Sequence, residues 1–301
     1  MTLRVTQSMM HLQLSRNLNR NMTQMEQLQQ QTATGRKINK ASDDPVGITY
    51  SLRYRSELSA TEQYQKNVDA ALSWLDFNDT VLSQAGDVLK RVKDLSIQAS
   101  NGTNSQVALD SVKNEIIQLK NQLVDIANSK INGKYIFNGE NYDQAPYSKT
   151  NPKASETDNG TIQYAVGFNM TLDINQPGEK VFGIADPAGT TDNVFSVLDR
   201  IITGLESGLH DSIDAEFSNI DISINRILNI RSEFGARTNR VELIQNRLGD
   251  LNINLTSMQS KTEDADFEKL LIGAQINENI YQASLSVGAK IVSKSLVDFL
   301  R

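Results

Sequence analysis

Residues 241–258 read VELIQNRLGDLNINLTSM, and this stretch decides the fold. Its apolar side chains recur at alternating steps of three and four residues, at Val241, Ile244, Leu248, Leu251, Leu255 and Met258. That spacing aligns them along one stripe of a helix, while Asn, Gln and Arg are frequent at the other positions. The stretch therefore predicts a long helix that packs against another helix along a narrow seam.

The same spacing recurs elsewhere in the chain. A weaker seam runs through 11–32. Asp44 and Pro45 are typical of a helix N-cap and of the first helical position. From Pro45 we expect a helix of about 50 residues, followed by an antiparallel partner over 104–130. Helical spacing resumes over 192–262.

A different composition marks residues 141–191. Prolines, glycines and small polar residues surround short β-branched runs at 161–166 and 170–174, which is typical of strands and turns. We therefore predict a mainly α fold, a long antiparallel helical bundle or coiled-coil rod formed by both chain termini, with a small β-rich inserted domain. The inner N-terminal part with its connecting loop is expected at 1–44, and the C-terminal helix at 263–301. The two parts of the helical rod are expected at 45–140 and 192–262, on either side of the insert at 141–191.

The C-terminal segment is expected to be a helix with more apolar surface than one partner can cover. It opens with Thr262 and an acidic turn, EDAD at 263–266, which is favoured at a helix N-terminus. Its apolar residues spread over several faces, so other subunits are expected to cover them, and the free chain ends are expected to be mobile. The residues predicted to pack between subunits are Leu14, Leu18, Met25, Leu28, Phe267, Leu271, Ile276, Ile280, Tyr281, Leu285, Val292 and Phe299.

The loop at 33–44 is expected to join the inner domain to the helical rod. Its cations are either solvated or in contact with acidic residues of an adjacent subunit, and the sequence leaves both open. Its two acids could form a pair for proton transfer, but the proline that follows them favours helix capping. The residues expected to make inter-domain contacts here are Arg36, Lys37, Lys40, Asp43 and Asp44.

Composition narrows the functional classes. The 301-residue chain has 30 Lys and Arg against 36 Asp and Glu, and its net charge of -6 argues against a nucleic-acid surface. It has no cysteine and two histidines, which leaves no disulfide, no thiolate zinc site and almost no material for a histidine-based catalytic centre. We expect no catalytic residue, no cofactor and no metal site. Neither a signal peptide nor a run of about 18 apolar residues is visible, so no membrane span is expected.

A metal site and a catalytic site have less support from the sequence. His11 on the first seam could bind a metal, but a lone imidazole among apolar neighbours is more often packed and hydrogen-bonded. A hydrolase in the insert would require Asp158, Asp173 and Asp186 to converge. We therefore regard an enzyme as the remotest alternative.

Five motifs in the two helical halves form a recognisable set. They are TATGRKINKASDDPVG (32–47), YRSEL (54–58), FGARTNRVE (234–242), EDADFEKL (263–270) and YQASLSVGAKI (281–291). This set resembles the terminal regions of the bacterial flagellin family, roughly over 1–140 and 192–301. The resemblance implies an inner coiled-coil domain made of both terminal helices, a second helical domain inside them and an outward insert. It also implies unfolded export by the flagellar type III apparatus, a cytosolic export chaperone at the C-terminal helix and an extracellular place in the flagellum.

Further details are similar to the family members that join the hook to the filament. They are the DDPVG and YRSEL runs, KINGKYIFNGE (130–140) and the closing SLVDFL (295–300). The resemblance therefore implies a structural subunit whose copies form a ring or helical layer at the hook-filament junction, with other hook-associated proteins and flagellin as neighbours. A filament flagellin that polymerises by itself is one alternative, and a secreted coiled-coil binding or adhesion module is another. Copy number, symmetry and the role of the insert are left open.

Overall fold

A computed structural model describes residues 7–101, 105–208 and 210–299. The helices are α1 Gln7–Thr34, α2 Pro45–Ser100, α3 Gln106–Ala127, α4 Gly178–Phe182, α5 Val194–Ser207, α6 His210–Asp214, α7 Phe217–Glu263 and α8 Phe267–Phe299. The strands are β1 Lys130–Ile131, β2 Lys134–Tyr135, β3 Gln163–Gly167 and β4 Met170–Asp173. One turn of 3-10 helix adds Pro152–Ala154. The predicted mainly α fold with a small β part is confirmed.

The helix starts follow the capping chemistry that the sequence indicates. Asp44 Oδ1 accepts hydrogen bonds from the backbone N–H groups of Val46 at 3.1 Å and Gly47 at 2.9 Å. These bonds satisfy donors that have no partner inside the helix, so the predicted start of α2 is confirmed. The side chains of Ser105 and Asn193 cap α3 and α5 in the same way.

The chain folds as two compact units. The first unit consists of Met1–Ala60 and Leu251–Arg301, and the second of Thr61–Asp250. Helices α2 and α7 contribute residues to both units. The five-segment division drawn from the sequence stays a prediction.

The second unit has a continuous apolar core of its own. One stripe of α2 is buried from Val68 to Ala99, and the polar residues Asn78 and Ser96 on it are buried as well. Each of these two side chains donates a hydrogen bond to the carbonyl oxygen four residues earlier in the helix. Both donors are therefore satisfied by α2 itself, which lets them lie inside the core.

Helix α7 packs antiparallel to α2 in this unit. Arg231 donates two hydrogen bonds to the carboxylate of Asp79, at 2.9 and 3.1 Å. Lys93, further along α2, pairs at 2.6 Å with Asp221, which comes earlier in α7. The order of the pairs is thus reversed between the two helices, as the two seams predict. Helices α3 and α5 also pack against each other.

The insert adds a short hairpin and an aromatic cluster to this core. Strands β3 and β4 lie in the runs 161–166 and 170–174 that predict them, and they pair antiparallel with an irregularity near Gly167. Four buried rings have neighbouring centroids 5.1 to 5.7 Å apart: Phe137, Tyr147, Phe182 and Phe195. Most of the remaining insert is irregular backbone packed on these rings.

Candidate functional site, the terminal helix pair and its loop

Helices α1 and α8 of the first unit form an antiparallel pair. Leu28 of α1 lies against Gly273 near the start of α8, and Leu14 lies against Gly288 further along it. The residues that the sequence places on the α1 seam are half-buried: Leu14, Leu18, Met25 and Leu28. In a single chain these residues therefore pack against α8, and their part between subunits stays a prediction.

Small and polar residues make up much of the α8 side of this pair. Its least exposed residues keep the three-four spacing: Leu270, Ala274, Asn277, Tyr281, Ser284 and Gly288. A Cβ on Gly288 would lie 2.7 Å from Leu14 Cδ2, so glycine lets α1 approach the α8 backbone closely. Asn277 is satisfied within α8, because its Nδ2 donates to the carbonyl oxygen of Gly273 at 2.9 Å.

The large apolar residues of α8 lie outside the seam, on what we call the outer face of α8. Between 44% and 61% of each residue is exposed on this face: Phe267, Leu271, Ile272, Ile276, Ile280, Leu285 and Val287. Five of the predicted subunit-packing residues are among them, whereas Tyr281 lies in the seam. The side chains of Val292 and Phe299 lie outside the described residues. Large apolar residues exposed in this number along one helix are typical of a protein interaction site.

A groove between α1 and α8 continues this apolar surface. It has a volume of about 540 Å³, and both Met25 of the α1 seam and Leu271 of the outer face line it. Ala274 lines it as well, where a small residue keeps the groove open. The exposed surface thus has a concave part beside the projecting side chains of α8.

Backbone hydrogen bonds tie the loop after α1 to the connection between α7 and α8. Gly35 ends α1 with a φ of +68°, a left-handed conformation that favours glycine. The N–H of Lys37 donates to the carbonyl oxygen of Glu263 at 2.8 Å, and the N–H of Ala265 donates to that of Gly35 at 3.0 Å. Ile38 is buried and anchors the loop. The loop therefore has a fixed path rather than a solvated one.

Glu263 places a buried charge at the centre of these contacts. Its side chain is 2% exposed, and Arg55 donates to it from Nε at 2.7 Å and from Nη2 at 2.6 Å. Ser51 Oγ also donates to this carboxylate, as does Gln259 Nε2 at 3.3 Å. The hydrogen bonds from Arg55 are the largest cause that lowers the pKa of Glu263 to about 2, although burial acts in the opposite direction.

The start of the last helix differs from its prediction. The sequence predicts that the acidic turn 263–266 opens this helix, but Glu263 ends α7 and α8 begins at Phe267. The reason is tertiary, because Arg55 and Ser51, which bind Glu263, lie 208 and 212 residues away in sequence. No local pattern in the sequence predicts this buried ion pair, although Arg55 belongs to the YRSEL run.

The three loop cations have different surroundings. Arg36 Nε lies 3.5 Å from a carboxylate oxygen of Glu263, and Lys37 Nζ lies 3.4 Å from the carbonyl oxygen of Lys261. Lys40 is exposed. Two of the cations thus contact their own chain, and the contact of any of them with an adjacent subunit stays a prediction.

The two loop acids cap local backbone groups. Asp43 Oδ2 accepts from the N–H groups of Asn39 at 3.0 Å and Lys40 at 2.9 Å, and these bonds lower the pKa of Asp43. Asp44 caps α2, and a Cβ on Gly47 would lie 2.4 Å from Asp44 Oδ2. The glycine of the DDPVG run is therefore needed for the cap to close. Helix capping is confirmed for Asp44, whereas Asp43 instead binds backbone groups of the loop before α2.

The other candidates from the sequence are held by their own neighbours. His11 is half-buried on the α1 seam. The three insert acids bind different segments. Asp158 accepts a hydrogen bond from Glu140, Asp173 accepts one from β3, and Asp186 accepts one from the segment after α4. Within the described ranges, no three His, Asp or Glu side chains are grouped so that they could hold a metal ion.

Among the helices described, none is long and apolar enough to cross a membrane.

Two family models match the helical halves of this chain. The model of the bacterial flagellin N-terminal helical region matches residues 5–142. The model of the bacterial flagellin C-terminal helical region matches residues 217–300. The matched ranges contain α1, the loop, α2, α7 and α8, which carry every contact of the terminal helix pair.

Individual relatives match nearly the whole chain. Flagellar hook-associated protein 3 of Escherichia coli (strain K12) is 25% identical over 304 residues, which covers 94% of this chain and 95% of that protein. Flagellin of Bacillus subtilis (strain 168) is 28% identical over 288 residues, which covers 92% and 91%. A crystal structure of flagellar hook-associated protein 3 from Legionella pneumophila has a TM-score of 0.61 at 18% identity and covers 69% of this chain and 97% of that one. The fold is therefore shared with solved structures.

Proposed function

Since this chain belongs to the bacterial flagellin family, we propose that it is a structural subunit of the flagellum that forms the junction between hook and filament. The observation that carries this proposal is the exposed outer face of α8 beside a seam of small residues. A single chain leaves that face uncovered, so neighbouring copies complete the inner domain. The match to a hook-associated protein 3 over nearly its full length supports the junction as the place of assembly.

The mechanism is helix packing between subunits. The outer face has seven large apolar residues, each about half exposed. Covering the exposed half of each contributes on the order of 7 kcal/mol in total at about 1 kcal/mol per residue. This gain is offset in part by the entropy of ordering and association. Several neighbours are therefore needed around each α8.

The loop at 35–44 orients the terminal pair during this packing. Its backbone bonds to Glu263 and Ala265 fix where α1 ends relative to the start of α8. Arg36 and Lys40 remain at least partly exposed, so they can pair with acidic residues of an adjacent subunit. Such pairs favour one register over others more than they add affinity.

The partners follow from the same exposed surface. Copies of this chain form a ring or helical layer, with hook-associated proteins on one side and flagellin on the other. Before export, a cytosolic chaperone covers the outer face of α8, because an uncovered apolar face promotes aggregation. The chain acts by packing and not by catalysis.

A strain that lacks this chain tests the proposal. We expect electron microscopy to show hooks without filaments, and we expect unpolymerised flagellin in the culture medium. Reintroducing the chain should restore filaments, whereas a chain with Leu271→Asp should not. A matched Gln275→Asp change at an exposed polar position of α8 should restore them. Normal filaments in the deletion strain would overturn the junction role.

Filament flagellin is the second candidate, and the Bacillus subtilis flagellin match favours it. A filament subunit polymerises without limit, whereas a junction subunit stops after a closed layer. Electron microscopy of the concentrated, purified chain separates the two. Long filaments made of this chain alone would establish the second candidate.

A further inference from the structure

The β3–β4 hairpin carries an aromatic residue that the second unit leaves uncovered. Phe168 lies at the turn and is 84% exposed. The next residue, Asn169, has a φ of +53°, which the turn requires, but no turn geometry requires an aromatic residue before it. The exposure of Phe168 therefore has no explanation in the fold of a single chain.

The hairpin holds Phe168 in a fixed position. Asn67 of α2 donates to the carbonyl oxygen of Ala165 at 2.7 Å, and Arg237 of α7 donates to that of Asp173 at 2.9 Å. Val166 is fully buried beneath the hairpin. An aromatic residue on such a support loses little entropy when it binds, which is typical of the anchor residue of an interface.

A cleft elsewhere in the same unit offers room for such a residue. It has a volume of about 510 Å³, and its lining includes Lys180, Gly183, Ile184 and Arg226. Ile184 is 69% exposed and provides an apolar wall. Gly183 has a φ of +95°, and a Cβ at this position would lie 3.0 Å from Arg226 Nη1, so glycine lets the arginine pack against the backbone here.

The charges of the cleft suit an aromatic ring. Arg226 pairs with Asp192 through Nη2, while its Nη1 is buried and has no hydrogen-bond partner in the part of the chain that the structure describes. Lys180 is exposed at the rim. A guanidinium or ammonium group is attracted to the face of an aromatic ring, and the attraction grows where water is excluded. The lining also contains Glu179 and Asp192, the partner of Arg226, so the exposed Lys180 is the cation of the cleft that can lie on the face of a ring.

Phe168 cannot reach the cleft of its own chain. The tip of the hairpin meets α7 at Arg247, where a Cβ on Gly167 would lie 3.8 Å from the guanidinium. Arg226 of the cleft lies 21 residues earlier in the same helix, which is about 30 Å along its axis. The ring and the cleft are therefore separate surfaces that only two different copies can bring together.

We propose that Phe168 of one copy inserts into the cleft formed by Gly183, Ile184, Lys180 and Arg226 of an adjacent copy. This contact rests on the proposed function, because it requires that copies assemble side by side. It gives the insert a role, which is to link neighbouring copies outside the terminal helices. The apolar ring meets the apolar wall, and the exposed ammonium group of Lys180 lies at the rim beside the ring.

Disulfide trapping tests this contact, because the natural chain has no cysteine. The full-length variant with Phe168→Cys and Ile184→Cys should form disulfide-linked multimers on oxidation at high concentration. We expect no bridge within one chain, because the points of α7 beside the hairpin tip and beside the cleft are about 30 Å apart and a disulfide requires Cα atoms within about 7 Å. The matched control combines Phe168→Cys with Val107→Cys, whose native residue is 76% exposed. Multimers no more abundant than in this control would overturn the proposal.

Loss of the ring gives a second measurement. In sedimentation experiments on the full chain, Phe168→Ala should weaken self-association about tenfold, while Phe168→Tyr should retain it. Leu243→Ala, which removes another exposed apolar side chain of α7, should have no effect. Equal association of the Phe168→Ala and Leu243→Ala chains would overturn the contact. If the deletion strain lacks filaments and trapping fails, the junction role stands and the Phe168 contact is wrong. If trapping succeeds and the deletion strain has normal filaments, the contact stands and the junction role is wrong.

Discussion

The two units bury their apolar residues to very different extents. In the second unit the α2 stripe and the four-ring cluster are almost fully buried, and the side-chain donor of Asn78 is paired within α2 inside the core. In the first unit the seam of α8 contains glycine, serine and asparagine, while its large residues are about half exposed. The second unit therefore has the core of an independently folded domain, whereas the terminal helix pair has only part of one. A subunit built this way can be folded before assembly and completed by it.

Hydrogen exchange in a dilute monomer should show the largest contrast between the two units. Amides of α2 within 68–99 should exchange only through global unfolding, which costs roughly 5 to 15 kcal/mol in a typical domain. Amides of α1 and of 267–290 should exchange orders of magnitude faster, because little buried surface opposes their opening. Strong protection of α8 in the dilute chain would break the comparison.

The core of the second unit should be sensitive to a single ring. Phe182→Ala removes a fully buried residue from the four-ring cluster and should lower the free energy of unfolding by about 4 kcal/mol. Urea denaturation of the full chain measures this change. The matched control is Phe168→Ala, which removes an exposed ring and should stay within about 0.5 kcal/mol. Equal losses in the two variants would mean that the cluster is not a core.

The buried carboxylate of the first unit should matter less and should depend on pH. Glu263→Gln leaves Arg55 without its charged partner and should cost about 2 kcal/mol in the stability of the loop contacts. The pKa of Glu263 is lowered to about 2 in the folded chain from 4.5. Its stabilising effect is therefore complete above about pH 4.5 and is lost as the pH falls towards 2.

Exchange of the amides at 35–38, measured between pH 2 and 6, checks this prediction. In the natural chain their protection should fall with acid, whereas in Glu263→Gln it should be lower at neutral pH and nearly flat. Glu57→Gln changes a carboxylate of the same helix segment that pairs with Arg53 instead of Arg55, and it serves as the control. An unchanged acid response in Glu263→Gln would show that another group controls the loop.

The smallest effect on folding should come from the outer face of α8. Leu285→Asp places a charge on a residue that is 46% exposed, so the free energy of unfolding should change by about 0.5 kcal/mol or less. Assembly should nevertheless fail, because a charge buried between subunits costs several kcal/mol. Gln282→Asp on the same helix is the control. If Leu285→Asp unfolded the second unit, the separation of folding from assembly would be wrong.

The sequence predicts the α1 seam but not the α8 seam, and the difference has a physical cause. Residues such as Leu14 and Leu28 combine large apolar side chains with coiled-coil spacing, so the pattern and the packing agree. On α8 the packed positions include Ser284 and Gly288, which give no hydrophobic signal. The residues that do give one, such as Leu285, lie outside the seam. Periodicity therefore identifies apolar helix faces. It identifies a packing seam only where the packed face is also the apolar face.

Long-range polar contacts were the other feature beyond the reach of sequence patterns. Local capping by Asp44 depends on residues two and three positions away and is predictable. The burial of Glu263 depends on Ser51 and Arg55, more than 200 residues away, so the local pattern instead favours a helix start. The four-ring cluster likewise joins two residues of the insert to Phe137 and Phe195 on either side of it, and it leaves no periodic signal.

The link between Glu263 and the α2 segment at 51–55 also governs the timing of folding. Contacts between residues so far apart in sequence form late, because closing a loop of that length has to precede them. Whichever end of the chain emerges first from an export channel, Arg55 can bind the carboxylate of Glu263 only after both segments have emerged. The Glu263 contacts can therefore form only in a chain that extends at least to this residue. In a truncated product that lacks Glu263, Arg55 would have no such partner and the contacts of the first unit would stay incomplete.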